Sequence, residues 1–574
     1  GLLPPSPAIT RVRLPSASPP RCDEAAAKVS HLHSNQQRLT AHSSIPATGS
    51  ATGPATRTTT EIADALLTRY VGPTIEAVAQ RRATWTATNL LAEAARTTRA
   101  LRLPDPVARI ALLDRIMAAA LDRCVALDPP ANVQASSRFA GAEAERDSAE
   151  ASEPAFTTWA ILAAEARLLG AHQEMAAATA DPGAIEAFLA APVMPGAPRL
   201  SADQARAAVA IAASGRRLDV LVGPAGAGKT RALWALRVAW EQTNGSGSVI
   251  GLAPSATAAA QVAVSLRIGA DTLAKWIHES DPETAGAQPW QLKAGQLVIV
   301  DEAAMAPTEQ LDRLVAQASA AGAKVVLVGD HAQLGAIEAG GAFALLVEEG
   351  NAVELEQLHR FSRDWEATAT RALRDGDPAA LDIYAAHGRL HDGVQEAMTE
   401  RAYRAWATDT TSARHSLLLA ADRDTVTALN RRARNDRIRA GAIDTTGEVP
   451  LRDGTTAAAG DVITTRRNNR RLTRPDGGHV RNGDRWHIAA VHPDGSLEAT
   501  PLAQADPERS ARPPAAVRLP ADYVREHVEL GYAMTIHRAQ GATADTAHVI
   551  AGPGMSRETF YVAMTRGRHA NHAW

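Results

Sequence analysis

Residues 218–230 read LDVLVGPAGAGKT, an apolar run, a glycine-rich loop and the start of a helical stretch. The loop Gly223–Thr230 matches G-x-x-x-x-G-K-[ST], and that pattern constrains the fold more than any other feature of the chain. Glycines such as Gly223, Gly226 and Gly228 let consecutive backbone N–H groups turn inward onto phosphate oxygens. A helix beginning at the loop points its positive end at the same anion. Lys229 supplies a mobile positive charge, and the Thr230 hydroxyl is placed to ligate Mg²⁺. Further short aliphatic runs follow: SVIGLAP, QLVIVDEA and AKVVLVGD, then SLLLAADR and TAHVIAG. All but QLVIVDEA, whose apolar part ends at Asp301, end in Gly, Asp, Arg or Pro, and stretches of helical composition separate them. This alternation predicts α/β architecture, with parallel sheets covered by helices on both faces.

Three further sites read as chemistry. In Val298-Ile-Val-Asp-Glu302 an apolar strand delivers Asp301 to the loop's edge of the sheet, where it would hold Mg²⁺. Glu302 is then placed to orient and deprotonate an attacking water. A D-E pair after a strand is by itself a common helix cap; the upstream phosphate loop makes it point to ATP hydrolysis. The run Val325–Val328 ends in GDHAQL, and Gln333 could touch both a terminal phosphate and that water, although a surface turn looks the same. Gln204 in LSADQ could pair with both edges of adenine, or Ser201 and Gln204 could simply begin a helix.

Elsewhere the chain carries less chemistry. Residues 1–60 are rich in Pro, Ser, Thr and Ala, which predicts disorder or a linker. Residues 61–195 read as a helical accessory domain. One helix is bracketed by Pro104 and Pro129, with Ile110, Leu113, Ile116 and Met117 on one face and Leu112, Ile116 and Ala119 on another. A second is expected from Trp159 through Leu169. Two α/β domains are expected at 196–352 and 353–574, with a small β insertion at 447–528 holding DVITT, RWHIAAV and SLEATPL. The net charge of −3 excludes a protein that coats polyanions wholesale, but a nucleic-acid channel needs only a local basic lining. Basic residues are overwhelmingly Arg. Cys22 and Cys124 are too far apart for a zinc site and fit a reducing, cytoplasmic setting. No apolar run is long enough to span a membrane.

The order of the motifs resembles superfamily 1 helicases of the RecD-like branch, and within it the helicase part of MobF-type conjugative relaxases, the TraA/TrwC/TraI group. The residues that carry the likeness are LSADQ at 200–204, GPAGAGKT at 223–230, APSATAAAQV at 253–262, DTLAKW at 271–276, VDEAAM at 300–305 and GDHAQLGAIEAGGAF at 329–343. LHRF at 358–361, LGYAMTIHRAQG at 530–541 and YVAMTRGR at 561–568 complete it. The resemblance covers about 200–574. It implies two RecA-like P-loop motor domains, the second with an SH3-like insertion, preceded by a helical region. It implies ATP and Mg²⁺ as cofactors, single-stranded DNA as partner, and conjugation or repair proteins as further partners. Movement would be 5′→3′. Arg360 and Arg566 would project from the second motor domain onto the γ-phosphate, and an arginine of this kind is typically worth about 10³–10⁵ in rate. Ser255, Thr257, Thr272, Thr535 and His537 would line the strand groove and hold phosphates without reading bases. Gln540 and Gly541 would couple that groove to the nucleotide. Arg466, Arg467, Arg470, Arg471 and Arg474 in the insertion would either track a strand or form a solvated basic loop.

Two departures from the family pattern matter. No histidine cluster with a tyrosine nucleophile precedes the motor, so DNA nicking is not expected of this chain. The last motif lies just before Trp574, where a strand expected to begin near Asn571 would be cut short, as in a piece of a longer protein. A stand-alone repair helicase and a degenerate motor that only binds DNA remain alternatives. Lys229, Glu302, Arg360 and Arg566 argue against the degenerate motor, and the second α/β domain argues against a P-loop kinase.

Overall fold

The computed structural model describes residues 59–127, 154–181, 183, 200–281, 283–284, 290–336, 339–474, 478–502 and 516–574. The expected linker therefore lies, but for its last two residues, outside the described residues, as do Cys22, Pro129 and the boundary at 195. The chain forms two compact units that divide between Trp159 and Ala160.

The first unit packs α1 (Thr59–Arg81), α2 (Ala87–Thr97) and α3 (Pro106–Leu121), followed by the hairpin strands β1 (Val125–Leu127) and β2 (Ala155–Thr157). Local chemistry starts each helix. Thr86 and Asn89 form a reciprocal capping box for α2, and Asp105 caps α3 with Pro106 in its first turn. The core is Val71, Val78, Trp85, Leu90, Ala94, Leu112, Ile116 and Ala120. The buried stripe of α3 thus runs through Leu112, Ile116 and Ala120, while Ile110 is exposed, so the expected face through Ile110 is corrected. Spacing alone allows both stripes; the neighbouring helices choose one.

The second unit begins with α4 (Trp159–Gln173) and α5 (Ala202–Ala213). Leu168 and Ala171 of α4 sit in the core of the first parallel sheet, so this helix packs with that sheet although it falls in the stretch expected to be accessory. The elements then alternate as β3 (Leu218–Val222), α6 (Lys229–Asn244), β4 (Val249–Ala253), α7 (Ala256–Leu266), β5 (Ala270–Thr272), α8 (Leu273–Ser280), β6 (Leu297–Val300), α9 (Thr308–Ala321), β7 (Lys324–Gly329), α10 (Ala342–Glu348) and β8 (Val353–Glu354). The strands form one sheet in the order β5-β4-β6-β7-β3-β8, and every pairing is parallel. β3, β6 and β7 are buried along their whole length, as strands covered on both faces must be. Because β8 pairs with β3, this layer runs past the expected boundary at 352.

After α11 (Asp364–Asp375), α12 (Ala379–Ala386) and α13 (Gln395–Thr411), a second sheet opens with β9 (Ser416–Ala420) and α14 (Arg423–Arg439). The chain then enters the expected β insertion. Its strands are β10 (Asp444–Pro450), β11 (Thr456–Ala459), β12 (Val462–Thr465), β13 (Asn469–Thr473), β14 (His479–Val480), β15 (Arg485–Val491), β16 (Leu497–Pro501) and β17 (Val517–Leu519), then α15 (Ala521–His527) and β18 (Val528–Leu530). Five of them make an antiparallel sheet in the order β17-β16-β15-β12-β18. Its root is fastened by the buried Asp461 carboxylate, which accepts from Arg434 Nε (2.9 Å), Tyr532 OH (2.6 Å) and Ala458 N (2.8 Å).

The chain returns through β19 (Ala533–Thr535), α16 (Ile536–Ala539), β20 (Ala544–Ile550), α17 (Arg557–Ala563) and β21 (Gly567–Ala573), closing a parallel sheet in the order β19-β9-β20-β21. The last strand starts earlier than the expected Asn571. β21 starts at Gly567, pairs with β20, and on its other side Ala573 N donates to Arg389 O and His391 N to Ala573 O, each at 2.9 Å. Asn571 is buried and turns the strand, its Oδ1 accepting from Gly567 N at 2.7 Å and its Nδ2 donating to Glu366 at 2.8 Å. Among the described residues no helix is long and apolar enough to cross a membrane.

A layer of imidazoles lies on this sheet. His391 Nε2 meets His572 Nδ1 at 3.1 Å, Arg389 Nη1 meets His572 Nε2 at 2.7 Å, and His548 Nε2 meets Asp409 Oδ2 at 3.0 Å. Arg389 can only donate, so His572 accepts at Nε2 and donates from Nδ1. Burial pushes all three imidazoles down, His572 to about 3; Arg389 and the other imidazoles depress His572 further, and Arg401 depresses His391. Asp409 pulls His548 and His572 the other way, as Asp392 does His391, without reversing the direction. A depressed imidazole stabilises the fold fully above its unfolded value near 6.5, and that stability is lost as pH falls below it. Thermal melts should therefore drop from pH 7 to pH 5. His572→Gln keeps one donor and one acceptor, removes one titrating group, and should make that drop shallower. An identical pH profile for parent and variant would show that this layer does not set it.

Candidate functional site: the phosphate loop and its second-domain partners

The loop between β3 and α6 has the shape its glycines allow. Gly226 and Gly228 take φ of +90° and +76°, a left-handed conformation that disfavours side chains. A Cβ at Gly226 would lie 2.5 Å from Arg360 Cβ, and one at Gly228 would lie 2.4 Å from Gln204 Nε2. Lys229 Nζ donates to the Gly223 carbonyl at 2.6 Å. Thr230 is exposed in the first turn of α6. Gln204 is fully buried: its Oε1 accepts from Ser201 N at 3.2 Å and its Nε2 donates to Ala227 O at 3.1 Å. Gln204 thus begins α5 in a capping box with Ser201, and the same amide touches the loop. Left-handed glycines, a mobile ammonium, a hydroxyl and a helix N-terminus form a donor set that fits a nucleotide polyphosphate with its cation.

Asp301 and Glu302 stand at the end of β6. Burial pushes the Asp301 carboxyl up to about 6, the Glu302 carboxylate adds to the push, and Lys229 opposes it. Glu302 has φ of +53°, rare for a residue with a side chain and costing about 1–3 kcal/mol. Its N–H donates to Asp301 Oδ1 at 2.9 Å and its carbonyl accepts from Met305 N at 2.9 Å, which hold the turn.

Gln333 donates through Nε2 to Asp330 Oδ2 at 3.1 Å. Asp330 carries no role in the sequence reading, yet it is the hub of the site. It also accepts from Ala332 N (3.2 Å), Arg374 Nε (3.1 Å) and Tyr561 OH (2.9 Å). The Tyr561 oxygen in turn accepts from Ala225 N, inside the phosphate loop, at 3.1 Å. Burial would raise the Asp330 carboxyl, but Arg374 and Lys229 with the hydrogen bonds hold it below the usual carboxylate range. Asp330 and Tyr561 lie inside motifs that the sequence displays; a strand ending in Asp next to Gln333 is the available signal. Nothing in the sequence marks Arg374.

Arg360 is not carried by the second domain as expected. Its segment is zipped along the first: Leu355 N donates to Val222 O (2.9 Å), His359 N to Gly226 O (2.8 Å), and the Glu356 and Gln357 N–H groups to Asp203 Oδ2 (3.0 Å each). From there Arg360 Nη1 reaches Thr565 O of the second domain at 2.7 Å. Arg566 does belong to the second domain and is buried, donating to Val562 O (2.7 Å), Ala539 O and Ala542 O (3.3 Å each) and Thr565 Oγ1 (2.7 Å). Burial pushes its guanidinium down to about 9, Arg360 lowers it further, and Glu302, Tyr561 and Asp330 act to raise it.

The expected strand-groove residues sit at the ends of parallel strands. Ser255 and Thr272 cap α7 and α8 through their hydroxyls, and Thr257 Oγ1 donates to Asn482 O of the insertion at 3.3 Å. Thr535 precedes α16 and His537 is exposed on it. Both ends of the Gln540 amide are buried without a hydrogen-bond partner among the described residues, next to Gly541 at φ +79°. The arginine run is divided: Arg466 pairs with Glu529 (3.3 Å), Arg470 with Asp271 (2.5 Å) and Arg474 with Asp484 (3.4 Å), while Arg467 and Arg471 are exposed. It is therefore not one continuous free basic track.

A phosphate loop and an Asp-Glu pair on one parallel sheet, joined through a buried carboxylate to a second parallel sheet, define a P-loop protein of two α/β domains. Residues 199–395 match the AAA domain family, and residues 530–572 match the UvrD-like helicase C-terminal domain family. The probable conjugal transfer protein TraA of Sinorhizobium fredii is 31% identical over 373 residues, 64% of this chain and 32% of that protein. The RecBCD enzyme subunit RecD of Mycolicibacterium smegmatis is 28% identical over 294 residues, covering 47% of this chain and 48% of that one. The crystal structure of Pif1 helicase from Candida albicans aligns with a TM-score of 0.43 at 16% identity, over 66% of this chain and 94% of that one. The chain is thus similar, across its two parallel sheets, to the TraA conjugal transfer proteins and to the RecD subunit. It spans about a third of the length of the TraA relatives it matches.

The hub makes a direct prediction. Tyr561→Phe leaves the Ala225 N–H unpaired, a loss of about 1–3 kcal/mol. Arg374→Leu leaves a buried carboxylate without its ionic partner, a larger loss of about 3–5 kcal/mol. Both should lower the melting transition, Arg374→Leu more; an unchanged melt for both would show that the latch contributes no stability.

Proposed function

We propose that this chain is an ATP-driven motor that translocates on single-stranded DNA and unwinds duplex, the helicase part of a conjugative relaxase of the TraA kind. The observation that carries this reading is the meeting of two parallel-sheet domains at the phosphate loop, with Tyr561 bonded to the loop's own Ala225 N–H at 3.1 Å. A motor needs such an arrangement, because opening and closing between domains then alters the nucleotide site directly.

Gly223, Gly226, Gly228, Lys229 and Thr230 would cradle the triphosphate, and Gln204 would sit beside the base. Thr230 and Asp301 would hold Mg²⁺, which when bound neutralises phosphate charge. Glu302 accepts the proton of the attacking water, Gln333 orients that water, and Arg360 and Arg566 stabilise the charge that develops. Arg566 would exchange carbonyl partners for phosphate as the domains close. Ser255, Thr257, Thr272, Thr535 and His537 would hold the strand by its phosphates, so binding is largely independent of sequence. Gln540, whose amide is buried and unpaired among the described residues, would gain partners when nucleotide or strand is bound and so report one site to the other. Movement is taken as 5′→3′, in the cytoplasm.

ATP hydrolysis should rise strongly when single-stranded DNA is added, because Tyr561 and Arg566 lie in a different domain from the loop. Glu302→Gln should keep ATP affinity and lose turnover, whereas Lys229→Ala should weaken both. A turnover indifferent to DNA, or a Glu302→Gln chain hydrolysing at the parent rate, would refute the reading.

A further inference from the structure

The polar side chains that open α5 are engaged inside the protein. Ser201 Oγ donates to Asp203 Oδ1 at 2.5 Å, and the same oxygen accepts from Gln204 N at 2.9 Å. Asp203 Oδ2 accepts from the Glu356 and Gln357 N–H groups, at 3.0 Å each. Gln204 Oε1 accepts from Ser201 N at 3.2 Å, and its Nε2 donates to Ala227 O at 3.1 Å. These bonds join three segments: the start of α5, the phosphate loop, and the stretch 355–360 that ends in Arg360. That stretch is itself tied to the loop, His359 N donating to Gly226 O at 2.8 Å.

Reading adenine takes more than standing beside it. Adenine presents an N6–H donor next to its N7 acceptor, and a carboxamide matches both only if its oxygen and nitrogen face the base together. Guanine presents two acceptors, O6 and N7, at the same edge, so an amide in that position would discriminate against it. The bonds of Gln204 leave one lone pair and one N–H over, but its side chain is 0% exposed, so nothing as large as a base reaches either. The amide lies close on the loop backbone, for a Cβ at Gly228 would stand 2.4 Å from Gln204 Nε2. Asp203 is buried as well. His359, an exposed side chain beside Gly228, has one donor and one acceptor nitrogen that can exchange roles, and so favours no one base edge.

We propose that Asp203 and Gln204 are positioning residues that hold the Arg360 segment against the phosphate loop, and that the site hydrolyses ATP, GTP, CTP and UTP with little regard for the base. This rests on the ATP-driven motor reading above and widens its substrate class to nucleoside triphosphates in general. Recognition falls on the triphosphate, which all four share, through the loop's N–H groups and Lys229. Water attacks the γ-phosphorus, its proton passes to Glu302, the bond from that phosphorus to the bridging oxygen breaks, and nucleoside diphosphate and phosphate leave.

The test is steady-state hydrolysis of each of the four nucleotides by the whole chain with saturating oligo-dT. Their kcat/KM values should agree within about tenfold, whereas a site built to hydrogen-bond its substrate rejects an unmatched analogue by about 10⁴ or more. Gln204→Ala and Asp203→Asn should each lower kcat about tenfold for every nucleotide and change KM less than about threefold, leaving the ATP-to-GTP ratio within about twofold of the parent's. Loss of a base contact would instead raise KM for ATP and spare GTP. A parent that prefers ATP to GTP by more than about tenfold would overturn the proposal, and this comparison stands even if a substitution impairs folding. So would a Gln204→Ala chain whose KM rises for ATP alone, or an unchanged kcat in both variants. Failure of the parent to hydrolyse any of the four in the presence of DNA would instead refute the motor reading itself.

Discussion

The buried carboxylate of Asp330 is the group on which the joining of the two parallel sheets depends. It ends a central strand of the first sheet, and four donors converge on it: a backbone N–H, Gln333, Arg374 and Tyr561. A carboxylate withdrawn from water is costly unless every lone pair is used and a positive charge stands close. Supplying those partners forces the second sheet's α17 and the α11 helix against the phosphate loop. The same hydroxyl that satisfies Asp330 also satisfies Ala225 N–H, so the loop's shape and the domains' closeness are one constraint. Arg360, tied by backbone hydrogen bonds to the first domain and by its guanidinium to the second, reinforces it.

The insertion is anchored by similar chemistry. Asp461 is buried, bonded to Arg434 and Tyr532, and fixes β12 against the second parallel sheet. At its far side the insertion touches the first sheet's edge through Arg470 to Asp271 and Asn482 to Thr257. Those bonds fall among the residues expected to hold the strand. Arginines that look like a free basic run are in large part spent on neighbouring carboxylates, and the excess positive charge gathers around Glu529 instead.

Much of the fold is legible in the sequence because it rests on local, periodic signals. Apolar strands ending in Gly or Asp announce parallel sheets, and LDVLV, LVIV and KVVLVG are indeed buried throughout. The α3 stripe is harder. Ile110 and Leu112 lie on overlapping helical faces, and only the packing of α1 and α2 decides which is inside. The last strand departs from expectation for a related reason. The strand expected to begin near Asn571 begins at Gly567, and the Asn571 amide is taken up by Gly567 and Glu366, contacts that no local spacing marks.

The sequence by itself determined the phosphate loop, the Asp301-Glu302 pair and the alternation that builds two parallel sheets. Each is a short stretch whose chemistry depends on its own backbone, and neighbours in the chain are enough to specify it. Only the tertiary structure decided that Asp330, Arg374 and Tyr561 form one unit, that Arg360 rides on the first domain, and that Arg452, Arg466 and Arg538 meet at Glu529. Such groupings join residues far apart in the chain. They arise where burial demands a partner for a charge, and which partner answers is set by the packing of the sheets rather than by any spacing in the sequence.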